Sequence, residues 1–381
     1  MDAKGAALAS VKRNEADLIS LSHLIHSHPE VRWEEERACA WTAEALDTRG
    51  FEVESGYCGM PTAFAARAGS GPLHIAICAE YDALPEIGHA CGHNIIAAAA
   101  VGAGLALAPL VDDVGLTVTV LGTPAEEGGG GKVLMLERGA FDDVHAALMV
   151  HPGPVECLEP AVRAVAHFDV FYTGRESHAA AAPERGVNAA DALVVAQSAI
   201  GLLRQHLGAS DQVHGFVMHG GDAANVVPAH TSGRWMVRSE TMHGVEAVRA
   251  RVERCFEAGA LATGAALSIE DVSPAYTHMD HDAGLAAIYR TNAEDLGRSF
   301  PAGSSMTFST DMGNVSLAVP SIHPLHRDRD GGAMNHQSEF AAACVGASAD
   351  SAVVDGAVAM AWTAIDAATG PQRDRLLRRA G

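Results

Sequence analysis

The sequence predicts an α/β protein in two parts, a layered sheet-and-helix domain split by a small inserted α+β layer. Three observations predict it. Strands and helices alternate along residues 51–150. The pattern then changes to β-α-β-β-α-β across residues 164–272, a ferredoxin-like order, and afterwards returns to the first kind. The 381 residues exceed the about 100–200 of one typical domain. The predicted boundaries are 1–163 and 274–381 for the split domain and 164–273 for the insert.

Each element has a local signal. Leu18, Leu21, Leu24 and Ile25 recur at helical spacing within residues 8–27, and His28-Pro29-Glu30 ends that helix. A second helix over 34–48 stops at Gly50. Strands are predicted over 51–54, 62–66 and 73–79, the last running into a loop marked by Pro85. An apolar, Ala-rich run, 95–110, reads as a buried helix, because Gly102 and Gly104 interrupt a stretch too short to span a membrane. Strand 116–121, helix 130–137 and strand 146–150 complete the first half. In the insert, strands 164–172, 213–219, 233–239 and 266–272 alternate with helices 188–206 and 244–264.

Composition narrows the function. With 26 Lys+Arg against 47 Asp+Glu, the net charge of −21 disfavours nucleic acid and anionic membrane surfaces. Hydrophobic residues at 48% suffice for packed cores. Seven irregularly spaced cysteines do not form a secreted disulfide framework, and residues 1–16 lack the apolar core of a signal peptide. A cytoplasmic location is expected.

In open α/β sheets, ligands gather at the C-terminal ends of strands. Asp82, Glu126, Glu127 and His151 all follow predicted strands. Cys91 and His93, two apart, would converge on an extended loop that Gly92 permits, making half a site for a borderline metal. Alone, the pair is equally a buried cysteine beside a structural histidine. Glu126-Glu127, between an apolar strand and four glycines, is poorly placed for mere solvation. One carboxylate can bind a metal while its neighbour takes a proton from water. A phosphate-binding loop is excluded, since Glu126 and Val133 stand where Gly and a hydroxyl are required. His151 and His336 are ambiguous singly among 20 histidines.

Together these segments resemble the co-catalytic metallopeptidase family of aminoacylases, in the branch of hippurate hydrolases, auxin-conjugate hydrolases and p-aminobenzoyl-glutamate hydrolase. The resemblance is carried by His28-Pro29-Glu30, Asp82-Ala83-Leu84-Pro85, His89-Ala90-Cys91-Gly92-His93 and Pro124-Ala125-Glu126-Glu127-Gly128. It continues through Gly174-Arg175-Glu176-Ser177-His178-Ala179, Asn225-Val226-Val227-Pro228, residues Ser309 to Val315, and His336. It covers nearly the whole chain, and the order and spacing of the set make it specific.

The resemblance implies a zinc-peptidase-like catalytic domain and an inserted lid and dimerisation domain. It implies two divalent ions, Mn²⁺ or Zn²⁺, bound by Cys91, His93, Glu127, His151 and His336, with Cys91 bridging. It makes Glu126 the general base, has Asp82 orient a ligand imidazole, and has His178 polarise the scissile carbonyl, in its own site or in a partner subunit's. Asn225 and Arg238 resemble positions that hold a substrate carboxylate. Distant members carry a ligand His two residues before Asp82; here Glu80 stands there, and the Cys–His loop is expected to supply the missing ligand.

Two departures, Arg175-Glu176-Ser177 before His178 and Thr310-Asp311 where Glu-Asp is common, point to a particular substrate subgroup. The expected activity is hydrolysis of N-acyl amino acids or dipeptides by a homodimer. The rivals are hydrolytic deamination of an aromatic amine on the same fold, and a metal-binding subunit that is non-catalytic or requires a paralogous partner. Binding alone does not need Glu126.

Overall fold

A computed structural model of the protein describes residues 2–327 and 332–378. The chain divides into two compact units, Met1–Ala161 with Met279–Gly381, and Val162–His278.

The first unit is built on a six-stranded sheet. Its order is Glu52–Ser55, Phe64–Ala68, Leu116–Thr123, Leu73–Glu80, Ala146–Leu148, Ser321–Ile322. The last four run parallel to one another, and the first two pair antiparallel at one edge. Leu73–Glu80 and Leu116–Thr123 are buried along their whole length, which is why both read as nearly unbroken apolar runs.

Helix His93–Leu107 buries every residue but Leu105 and packs against Ala3–Ser27 and Ala347–Thr369. Small side chains permit this close approach. A Cβ at Gly102 would stand 2.7 Å from Ala357 Cβ and 2.8 Å from Leu18 Cδ1. Two helical stretches, His93–Val114 and Ala347–Thr369, are long and apolar enough to cross a membrane. Their apolar windows are 83% and 78% buried inside the structure, so they serve as core helices.

The second unit is an antiparallel four-stranded sheet ordered Ala266–Asp271, Ala164–Thr173, His230–Ser239, Gln212–His219. Helices Ala189–Leu203 and Met242–Thr263 cover one face around Phe168, Trp235 and Phe256. Asn188 caps the first helix, its side chain accepting from the Ala190 amide at 2.9 Å. The helix expected over 188–206 ends at Leu203 and tightens into a 3₁₀ turn, Arg204–His206. Together the units give the mixed α/β architecture with an inserted β-α-β-β-α-β layer.

Candidate dinuclear metal site

The site collects where four parallel strands of the first unit end. Glu80 and Asp82 follow one strand, Glu126 and Glu127 the next, His151 the third and His323 the fourth. The loop carrying Cys91 crosses these ends before helix His93–Leu107 begins.

Gly92 corrects one sequence expectation. It is not extended but left-handed, with φ 75°, and His93 is the first helical residue. A Cβ at Gly92 would lie 2.4 Å from Pro152 Cγ, so both conformation and space demand glycine. The convergence survives by another route: ligand atoms of Cys91, His93 and Glu127 lie within 4.8 Å of one another, as do those of Glu80, His93 and His151.

Ala125 also adopts a left-handed conformation, φ 57°, costly for a non-glycine residue. Buried Glu35 holds it by accepting from the Ala125 amide at 2.8 Å, which fixes the backbone just before Glu126. Burial, then the charge of Asp82, pushes the Glu35 carboxyl up to about 7.

Hydrogen bonds assign the imidazole tautomers. Nδ1 of His93 donates to Asp82 Oδ1 at 3.0 Å, leaving the lone pair on Nε2. Nδ1 of His151 donates to the Pro152 carbonyl at 2.6 Å, again leaving Nε2. Asp82 is shared, because its Oδ2 accepts from the Glu127 amide at 2.9 Å. His336 is half exposed yet stands beside the group. Its amide donates to the Ala90 carbonyl at 2.9 Å and its Nε2 lies 3.7 Å from Glu127 Oε1.

Electrostatics mark the pocket as a place for cations. Burial, then Glu127, Glu80 and Asp311, pushes Glu126 well above the usual carboxylate range. Burial, then Glu127, raises the Cys91 thiol in the same way. At His93 burial opposes the charged form, but Asp82, Glu80 and Glu127 outweigh it and lift the imidazole to about 10. Burial and the neighbouring His93 lower His151 to about 3.

The buried atoms Glu80 Oε2, His93 Nε2 and Glu127 Oε1 have no hydrogen-bond partner among the described residues. A thiol, imidazoles and carboxylates with unspent donor atoms fit borderline divalent ions.

Sequence reasoning missed the floor of this pocket. Lys132 is wholly buried and ion-pairs with Glu80 Oε1 and, at 2.8 Å, Asp311 Oδ1. Its amide donates to Asp311 Oδ2 at 2.9 Å. His323 stacks on His151 with ring centroids 5.3 Å apart. The only local hint was a lysine ending a glycine run.

The remaining predicted residues lie in the second unit. His178 is exposed, and its Nδ1 accepts from the amides of Ala180 and Ala181 at 3.2 and 3.1 Å, so Nε2 carries the proton. Asn225 is beside it, its carbonyl accepting from the Ala179 amide at 3.0 Å. Arg238 is not. Thr173 pairs with His230 at the end of the sheet nearest His178, and Val165 pairs with Arg238 near the other. Eight strand residues separate His230 from Arg238, roughly 26 Å.

A parallel sheet with carboxylates, imidazoles and a thiol at its strand ends defines a metallohydrolase. Residues 76–353 match the peptidase family M20/M25/M40, and the chain belongs to that family. It is 36% identical to the Xaa-Arg dipeptidase of Mus musculus, over 95% of this chain and 90% of that one. It is 34% identical to one of the two kinds of chain that make up the p-aminobenzoyl-glutamate hydrolase of Escherichia coli (strain K12), over 63% of this chain and 54% of that one.

Among solved structures, the aminobenzoyl-glutamate utilization protein of Klebsiella pneumoniae matches with TM-score 0.74 at 19% identity, covering 92% and 96% of the two chains. A dinuclear metal binding peptidase of Bacillus subtilis from the M20 family matches with TM-score 0.71 at 21% identity, covering 93% and 98%. The chain is a metal-dependent hydrolase of amide or peptide bonds.

Proposed function

We propose that the protein hydrolyses dipeptides or N-acyl amino acids, with Glu126 moving the proton between water and the leaving amine. The observation that carries the reading is the convergence of Cys91, His93 and Glu127 ligand atoms within 4.8 Å, directly beside Glu126 in sequence. Cys91, His93, Glu127, His151 and His336 would hold two divalent ions, Mn²⁺ or Zn²⁺. Such ions acidify a bound water and polarise the scissile carbonyl.

The chain's own groups do the rest. Asp82 keeps His93 and the Glu127 backbone in place. Glu126 accepts a proton and returns it to the departing nitrogen, a role that suits a carboxyl raised by burial and like-charged neighbours. His178, with its proton on Nε2, can donate to the developing oxyanion. Asn225 and Arg238 would hold the substrate carboxylate.

Asn225 and Arg238 cannot grip one carboxylate within one inserted unit, because they lie at opposite ends of its sheet. The reading therefore includes a homodimer in which each site takes residues from two inserts. The exposed edge strand Gln212–His219, with Phe216, Val217 and Met218 at the surface, offers an apolar face for pairing. The acidic chain would work in the cytoplasm, without nucleic acid or membrane.

The test is amine release by metal-loaded protein from Xaa-Arg dipeptides and from N-acetyl, N-benzoyl and p-aminobenzoyl amino acids, with chelated protein as control. Chelator-sensitive release of an amino acid supports the reading. Release of ammonia alone supports deamination, and no release from any substrate overturns hydrolysis by this chain alone.

A further inference from the structure

We propose that Glu80 is itself a metal ligand, completing the site of His93 and His151, and that Lys132 and Asp311 hold its carboxylate in position. The inference rests on the metal-dependent reading above.

The donor count requires another group. His93 has a single nitrogen to offer, since Nδ1 is committed to Asp82. His151 likewise has only Nε2. The five residues assigned from sequence thus give five donor atoms for two ions. Cys91, Glu127 and His336 form one group, leaving His93 and His151 as a pair of neutral imidazoles. Glu80 makes the second group a triad: its donor atom lies within 4.8 Å of those of His93 and His151. Each ion then has three protein ligands, and each group has an anion.

The carboxylate is oriented for this role. Oε1 is engaged by Lys132, while Oε2 is buried, without a hydrogen-bond partner, 3.5 Å from His93 Nε2. Lys132 does not need Glu80 for neutrality, because Asp311 supplies one negative charge and holds both the ammonium and the amide of Lys132. Glu80 is a surplus buried anion, and such a charge persists where a cation meets it. The lysine occupies the far oxygen and fixes which edge of the carboxylate faces the imidazoles. An oriented ligand of this sort binds without ordering a free side chain first.

The experiment titrates full-length protein with Co²⁺, following binding by chelator competition and visible absorption. Wild type is expected to bind two ions per chain. Glu80→Gln should weaken one of them by more than about 100-fold and alter its absorption band, beyond the ~10–100-fold range of groups that only orient ligands. Asp311→Asn should fall within that range. Glu80→Asp keeps the charge beside Lys132 but withdraws it from the pocket; it should also weaken one ion, and it serves if Glu80→Gln fails to fold.

Two ions bound by the Glu80 variants with wild-type affinity and bands would overturn the inference and leave the hydrolase reading intact; Glu80 would then be only a buried ion-pair partner. Failure of wild type to bind any ion would overturn both.

Discussion

Asp82 holds His93 from behind: its Oδ1 accepts from Nδ1 at 3.0 Å, while its Oδ2 accepts from the Glu127 amide at 2.9 Å. One carboxylate therefore fixes two of the proposed metal ligands, one by its ring and the other by its backbone. Asp82→Asn cannot satisfy both donors, because an amide nitrogen would face one of them. The expected result is a ~10–100-fold loss of affinity for at least one ion. Chelator competition on folded variant protein measures it, and unchanged affinity would remove Asp82 from this role.

Glu126 and Glu127 are neighbours with different tasks, and substitution should separate them. Glu126→Ala is expected to keep both ions while kcat falls by about 10²–10⁴. Metal content by elemental analysis and kcat on the same preparation decide it. Loss of metal together with activity would make Glu126 a ligand, and retained activity would deny it the proton-transfer role.

The site was legible in the sequence where its residues follow strands. Asp82, Glu126-Glu127 and His151 sit just beyond parallel strands, and apolar runs ending in polar residues announce that geometry. The Lys132–Glu80–Asp311 group was not legible. Its members are 52 and 179 residues apart, and no local pattern marks a buried charge whose partner arrives from another strand end. The conformation of Gly92 was misread because an extended and a left-handed glycine look alike in sequence. The separation of Arg238 from Asn225 depends on strand register, which spacing alone does not reveal.

Glu35 should make stability depend on pH. Burial and Asp82 lift its carboxyl from 4.5 to about 7 in the folded chain. Between those values the unfolded chain has lost the proton and the folded chain keeps it. Stability from this group is thus complete at low pH and is lost as pH rises through about 7, by on the order of 3 kcal/mol at most. Glu35→Gln can still accept from the Ala125 amide but carries no charge. Its thermal midpoint relative to wild type should rise between pH 5 and pH 8. The same difference at both pH values would show that Glu35 does not titrate in this way.

The sheet register of the insert yields the sharpest test of the shared site. His178 and Asn225 stand near one end of the sheet and Arg238 near the other. If each site takes His178 from a partner, Glu126→Ala and His178→Ala chains damage different halves of the same assembly. Each variant alone should be nearly inactive, His178→Ala through kcat more than through KM. When the two are unfolded, mixed in equal amounts and refolded, half the dimers become hybrids. One site of each hybrid then has both residues intact, so activity should recover to roughly a quarter of wild type by two-fold symmetry. Activity that stays at the level of the separate variants, with hybrids present by mass, would place His178 in its own chain's site.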